Sequence, residues 1–199
     1  MNDKSPIHLQ DGDALLIVDV QNDFLPGGKL AVPEGDAVIA PLNAWIERVE
    51  RRGLPIIATR DWHPADHCSF QARGGPWPVH CVAGTPGAEF APTLRLPKNA
   101  WIISKATSPD QEAYSGFQGT DLATRLREAG VRRLFIGGLA TDYCVLNTVK
   151  DALQEGFTVF LLQDAIRAVN VKPGDGERAI AEMLAAGAVP VTLADLESP

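Results

Sequence analysis

The sequence predicts an α/β fold, a three-layer sandwich around a central, mostly parallel six-stranded sheet. Three observations predict it. Short apolar runs alternate with stretches of helical period, the pattern of βαβ units with right-handed crossovers. Some runs are apolar throughout, such as Ala14-Leu15-Leu16-Ile17-Val18, which suits strands covered on both faces. No internal repeat, low-complexity tract or linker divides residues 1–199, so one domain is expected.

The first strand, 14–18, ends in an abrupt polar switch, Asp19-Val20-Gln21-Asn22-Asp23-Phe24. In an open parallel sheet ligands gather beyond the carboxyl ends of strands, where Asp19 stands, although Asp is also an ordinary turn or cap residue. Gly and Pro make 25–35 a loop. Val38, Ile39, Leu42, Trp45, Ile46 and Val49 then form a helical stripe with Pro41 near its first turn, closed by Gly53 and Pro55. Ile56-Ile57-Ala58-Thr59 is the second strand. From Arg60 to Pro97 no period persists, and an irregular segment of that length inside a compact domain is usually functional. It carries His63, His67 and His80, three of the four histidines.

Residues 100–104 form the third strand, with Lys105 at its end. Thr120 is placed to cap a helix carrying Leu122, Leu126 and Ala129, stopped by Gly130. Leu134-Phe135-Ile136 is the fourth strand. Gly137-Gly138 then open a turn into a helix that carries Cys144 in its first turn and runs to about Glu155. A fifth strand over 157–162, a helix over 177–186 and a short edge strand over 189–192, where Pro190 is tolerable, complete the chain.

Size and charge bound the function. At 199 residues and 45% hydrophobic content the chain can bury one sizeable core. A net charge of -7 argues against nucleic acid or an anionic membrane as partner. No apolar run reaches membrane-spanning length, and the first residues lack the layout of a signal peptide. Three cysteines are no disulfide framework, so a reducing, cytoplasmic compartment is expected. Oligomeric state is not legible, and a homo-oligomer is compatible with the sequence.

Two constellations carry chemistry. Asp19, Lys105 and Cys144 each follow an apolar strand, and if those strands are neighbours the three side chains converge. The carboxylate can take the thiol proton, the ammonium can stabilise anions, and the sulfur can attack a carbonyl. The helix N-terminus should favour thiolate, and N–H groups of the same turn can bind an oxyanion. A buried structural cysteine fits the same position equally well. The second constellation is Asp61-Trp62-His63-Pro64-Ala65-Asp66-His67, with His80 thirteen residues on. Asp61 and His63, two apart in an extended segment, point the same way, and a tight turn at Pro64 would return His67 to them. One carboxylate with two or three imidazoles suits one divalent ion, Zn²⁺ first and Fe²⁺ or Mn²⁺ as alternatives, with water completing the shell. Loop histidines without a metal are the alternative, but three clustered histidines with an aligned Asp favour the ion.

Five stretches resemble the signature segments of nicotinamidases, also called pyrazinamidases, within the isochorismatase-like cysteine hydrolases. They are Val18–Phe24, Asp61–Pro64, Trp77-Pro78-Val79-His80-Cys81, Tyr114-Ser115-Gly116-Phe117 and Gly138–Cys144, in order over essentially the whole chain. The resemblance implies an Asp19, Lys105, Cys144 triad and a metal on Asp61, His63, His67 and His80. It implies hydrolysis of nicotinamide, and of pyrazinamide, to the acid and ammonia in NAD salvage through a cysteine thioester, with the ring nitrogen approaching the metal. It also implies an oxyanion site at the N–H groups of Ala140 and Cys144, with a cis Leu139–Ala140 bond. Phe24, Trp77 and Tyr114 are implied as walls of an aromatic pocket, though Phe24 suits an ordinary core position as well. The sequence departs at Tyr143, where some relatives carry histidine. Relatives acting on other small amides or carbamoyl compounds share the triad and usually lack the histidines.

Overall fold

The computed structural model describes residues 5–197. Six strands, β1 (Asp13–Val18), β2 (Ile56–Asp61), β3 (Trp101–Lys105), β4 (Arg133–Leu139), β5 (Thr158–Arg167) and β6 (Val189–Val191), make one sheet in the order β3-β2-β1-β4-β5-β6. Every pairing in it is parallel, so the sheet is fully parallel rather than mostly so. Four helices join the strands: α1 (Ile39–Arg51), α2 (Leu122–Glu128), α3 (Leu146–Gln154) and α4 (Asp175–Ala185).

Alternation along β1 shows how the layers form. Leu15 and Ile17 pack on one face with Leu42, Trp45, Ile46 and Val49 of α1. Leu16 and Val18 pack on the other with Leu122 and Leu126 of α2, Val149 and Ala152 of α3, and Met183 of α4. Both faces are dry, which is why β1 reads as an unbroken apolar run; each such side chain contributes roughly 1.5–3 kcal/mol by burial. The chain builds outward from β1 through β2 to β3, then returns to β4 on the other side of β1. That reversal leaves a crevice at the carboxyl ends of β1 and β4, where open α/β sheets bind ligands.

Two elements differ from the sequence reading. The fourth strand does not stop at Ile136 but runs to Leu139, with Gly137 opposite Ile17 and Gly138 opposite Val18. Gly138 has φ +125°, and a Cβ there would lie 2.2 Å from the Val18 carbonyl oxygen. Only glycine lets β4 stay in contact with β1 at this point. Cys144 also lies ahead of the helix rather than in its first turn, in a π-helical turn, Thr141–Val145, that leads into α3.

The irregular segment between β2 and β3 is pinned by single bridges, His63 to Val82 and Phe70 to Trp77. Phe70 is fully buried among the histidine rings, 5.5 Å from His63, 5.7 Å from His67 and 5.5 Å from His80. This one aromatic plug gives the histidines a common floor. No helix among the described residues is long and apolar enough to cross a membrane.

Candidate active site

Strand register brings the first constellation together. Val18, the last residue of β1, pairs with Thr59 and Gly138, while β2 and β3 run two residues further to the Asp61–Lys105 pair, so the four strands end within about two residues of one another. Asp19 follows at φ +51°, and Ala106, just past Lys105, also has φ +51°, two strained positions at strand ends. The Leu139–Ala140 bond is cis and leads into the turn bearing Cys144.

Lys105 is buried at the centre. Its ammonium donates to Asp61 Oδ1 at 2.5 Å, to the Ala113 carbonyl at 3.2 Å and to Cys144 Sγ at 3.4 Å. Those bonds use its three N–H groups. Asp19 Oδ2, 2.8 Å from Nζ, is therefore a charge contact without an aligned hydrogen bond. The other Asp19 oxygen accepts from the Thr59 hydroxyl at 2.7 Å. With Oδ1 occupied, Oδ2 is open to a proton, and Cys144 Sγ lies within 4.8 Å of an Asp19 carboxylate oxygen.

Electrostatics divides the two carboxylates. Burial raises the Asp19 carboxyl above its ordinary range, with Lys105 pulling against it and Asp61 adding to it. Burial also works on Asp61, but Lys105 and the His63 ring outweigh it and hold that carboxyl well below the usual range. Asp61 thus keeps its charge while Asp19 gains proton affinity, the separation an acid–base pair needs. Burial alone would lower Lys105, yet Asp19 and Asp61 together hold it protonated. Burial raises the Cys144 thiol well above its ordinary value, Lys105 lowers it, and the two carboxylates raise it further. The expectation of a thiolate set by a helix N-terminus is corrected here. The sulfur is buried beside carboxylates, and its resting form is the thiol.

The second constellation forms beside the first. His63 donates its Nδ1–H to the Ala106 carbonyl at 3.1 Å, and His80 donates its own to Pro78 at 2.8 Å. Each backbone carbonyl fixes the ring so that Nε2 keeps its lone pair. Both Nε2 atoms face Asp61 Oδ2, at 3.5 Å for His63 and 3.9 Å for His80, and His63 Nε2 is a buried atom with no hydrogen-bond partner. One carboxylate oxygen and two aligned imidazole nitrogens, all buried, fit a divalent cation. Burial lowers His80, which keeps it neutral; burial also pulls on His63, but the Asp61 carboxylate prevails and raises it.

His67 departs from its expected place. The turn at Pro64 does form, with His67 N–H bonded to the Pro64 carbonyl at 3.2 Å, and it stacks the His67 ring on His63 at 4.1 Å. Its nitrogens are engaged elsewhere: Nε2 donates to the Gln111 carbonyl at 2.9 Å and Nδ1 faces the Ser69 hydroxyl at 2.7 Å. The ligand-competent group is therefore Asp61, His63 and His80, with His67 outside it. Sequence spacing returns the ring but cannot reveal partners 2 and 44 residues away.

Over both constellations lies a cleft of ≈ 370 Å³, its open mouth included, walled by Phe24, Trp77 and Tyr114 as expected. Tyr143, Leu30, Val32 and Val169 also line it, and spacing singled out none of these as walls. The Tyr143 ring meets Trp77 edge-on at 4.9 Å and Tyr114 at 5.6 Å, while Trp77 Nε1–H donates to the Tyr114 hydroxyl at 3.1 Å. Ala140, Asp61, His80 and Cys144 form the floor.

Two further residues explain the polar run after β1. Gln21 donates to the carbonyls of Asp61 at 2.8 Å and Ala88 at 2.9 Å, and accepts from Asp61 N–H at 2.9 Å. Asp23 accepts from Cys81 N–H at 2.8 Å, fixing the chain beside His80. Buried amides and carboxylates in a strand-end loop signal such anchoring, but their targets are set by the fold.

The isochorismatase domain model matches residues 13–195. The Escherichia coli nicotinamidase is 43% identical over 92% of this chain and 96% of its own length. Among solved structures, a pyrazinamidase of Pyrococcus horikoshii in complex with zinc superposes with TM-score 0.88 at 55% identity, covering 92% of this chain and 99% of that one. A protein from L. infantum in complex with nicotinate superposes with TM-score 0.90 at 37% identity, covering 98% and 100%.

Proposed function

This chain belongs to the isochorismatase domain family, and from that premise we propose that it hydrolyses nicotinamide to nicotinate and ammonia, with pyrazinamide as a second substrate. The observation that carries the reading is the shared position of Lys105. It touches Asp19, Asp61 and Cys144 at once, so a nucleophile site and a cation site meet under one aromatic cleft.

The reaction follows from the chain's own groups. A flat ring enters between Phe24, Trp77 and Tyr114 with its carboxamide carbon toward Cys144 Sγ. Asp19 Oδ2 takes the thiol proton as sulfur attacks the carbonyl carbon, and Lys105 stabilises the charge that develops. The N–H groups of Ala140 and Cys144 receive the oxyanion. The tetrahedral adduct collapses to a thioester, and the proton held by Asp19 leaves with the amine as ammonia. Asp19 then draws a proton from water, whose oxygen attacks the thioester; nicotinate departs and the thiol is restored. Asp61, His63 and His80 would hold one divalent ion, for which zinc suits the nitrogen and oxygen donors, and it would supply positive charge and Lewis acidity for the ring nitrogen. A placement in NAD salvage, inside the cytoplasm, accords with this substrate.

Ammonia release from nicotinamide by purified protein, with metal analysis of the same sample, tests the proposal. Turnover with about one metal per chain is expected. Metal present without turnover on nicotinamide or pyrazinamide would overturn the substrate assignment, and turnover that survives complete metal removal would overturn the role given to Asp61, His63 and His80.

A further inference from the structure

The cleft wall least explained by the reaction is Val169. It lies two residues past the end of β5, in the loop before α4, and lines the cleft. Its position depends on a residue inside the nucleophile's turn. Asp142, two residues before Cys144, accepts from Val169 N–H through Oδ1 and from Asn170 N–H through Oδ2, both at 2.9 Å. The other loop bonds, Gly176 N–H to Asn170 Oδ1 at 2.8 Å and Lys172 N–H to Asp175 Oδ2 at 2.8 Å, stay within the loop and the start of α4. Asn170 turns the chain at φ +54°, a left-handed conformation that asparagine tolerates. The neighbouring walls are tied differently: Leu30 N–H bonds to the Asp23 carbonyl and Val32 N–H to the Phe24 carbonyl, both at 2.9 Å. Those walls belong to their own loop, whereas Val169 is tied by one carboxylate to the segment that carries the sulfur.

We propose that Val169 sets substrate width and that Asp142 is the residue that positions it. The cleft then admits monocyclic heteroaromatic amides bare on the ring edge that faces Val169 and rejects those substituted there. The inference rests on the amidase reading above and deepens it. An apolar wall of this kind discriminates by the space of one methyl group, which is worth about tenfold or more in kcat/KM. Because one carboxylate holds two N–H groups on separate oxygens, its amide analogue keeps one acceptor and loses the other.

The test compares nicotinamide with its four ring-monomethyl isomers in wild type, Val169→Ala, Asp142→Ala and Asp142→Asn. The readout is the ratio of kcat/KM for nicotinamide to that for the most disfavoured isomer, so that a general loss of activity cancels. Val169→Ala and Asp142→Ala are expected to lower that ratio for the same isomer by about tenfold, with Asp142→Asn between them and wild type. Should Asp142→Ala fail to fold, Asp142→Asn carries the comparison. Wild type that accepts every isomer as well as the parent, or a ratio unmoved in Val169→Ala, overturns the wall. A ratio that falls in Val169→Ala but stays fixed in the Asp142 variants overturns the positioning role. Wild type that hydrolyses none of these amides overturns the amidase reading and this inference with it, an outcome visible before any variant is compared.

Discussion

At Cys144 the physical problem is a buried thiol among carboxylates, and Asp19 Oδ2 is the group left open to relieve it. Cys144→Ala removes the nucleophile, and turnover should fall roughly a thousandfold or more; residual hydrolysis near the wild-type rate would refute the assignment. The histidines offer a sharper contrast. His80→Ala deletes one of three converging donors and should yield protein with well under one metal per chain. His67→Ala disturbs only the ring stacked behind His63, so metal should be retained while affinity drops roughly 10–100-fold in competition with a chelator. Equal depletion in both variants would place His67 among the ligands. The residue types were legible because each stands at a strand end or in a dense cluster. His67 was misplaced because a ring's location says nothing of which hydrogen bonds its nitrogens have taken, and Tyr143 and Val169 were missed because walls of a cleft carry no spacing signal.

Elements tell a similar story at a longer range. Helix α1 announces itself through Leu42, Trp45, Ile46 and Val49, all buried on one stripe. The end of β4 does not, because Gly137 and Gly138 look like a turn and are instead strand residues pressed against β1. Gly138→Ala brings a methyl group onto the Val18 carbonyl and strains a positive φ, so it should destabilise the protein by roughly 2–5 kcal/mol. A thermal melt should show the midpoint lowered on the order of 10 °C; an unchanged midpoint would mean that β4 can leave β1 at no cost. The same variant shifts the Ala140 turn, so activity should fall even below the melting range. The π-helical turn at Thr141–Val145 also escaped the periodicity, since five residues are too few to distinguish it from an α-helical turn.

Across the whole molecule, the alternation of strands and helices made the sandwich legible, but not which strands are neighbours. Convergence of Asp19, Lys105 and Cys144 had to be assumed from their strand ends, and the order β3-β2-β1-β4-β5-β6 is what supplies it. At the opposite, amino-terminal end of the central strands, Arg133 on β4 forks onto Asp13 on β1 at 2.6 and 2.8 Å, directly across their register. Asp13 is buried and Arg133 about a quarter exposed, so Asp13→Ala should cost about 1–3 kcal/mol, less than a fully buried pair. Urea unfolding should show a lower midpoint with an unchanged slope; an altered slope would indicate instead that the unfolded or native state had changed in compactness.

Lys105 answers to two carboxylates, and that fact ranks the substitutions a lineage could survive. Loss of His80 removes a neutral ring, and loss of His63 removes one of the groups that hold Asp61 ionised, but either leaves Lys105 between its two carboxylates. Loss of Asp61 strands an ammonium in a dry interior with one partner, a defect felt at Asp19 and Cys144 alike. A descendant abandoning the cation would therefore shed imidazoles first and keep an acid at the end of β2. Its fossil would be that carboxylate, retained long after the ion it once served.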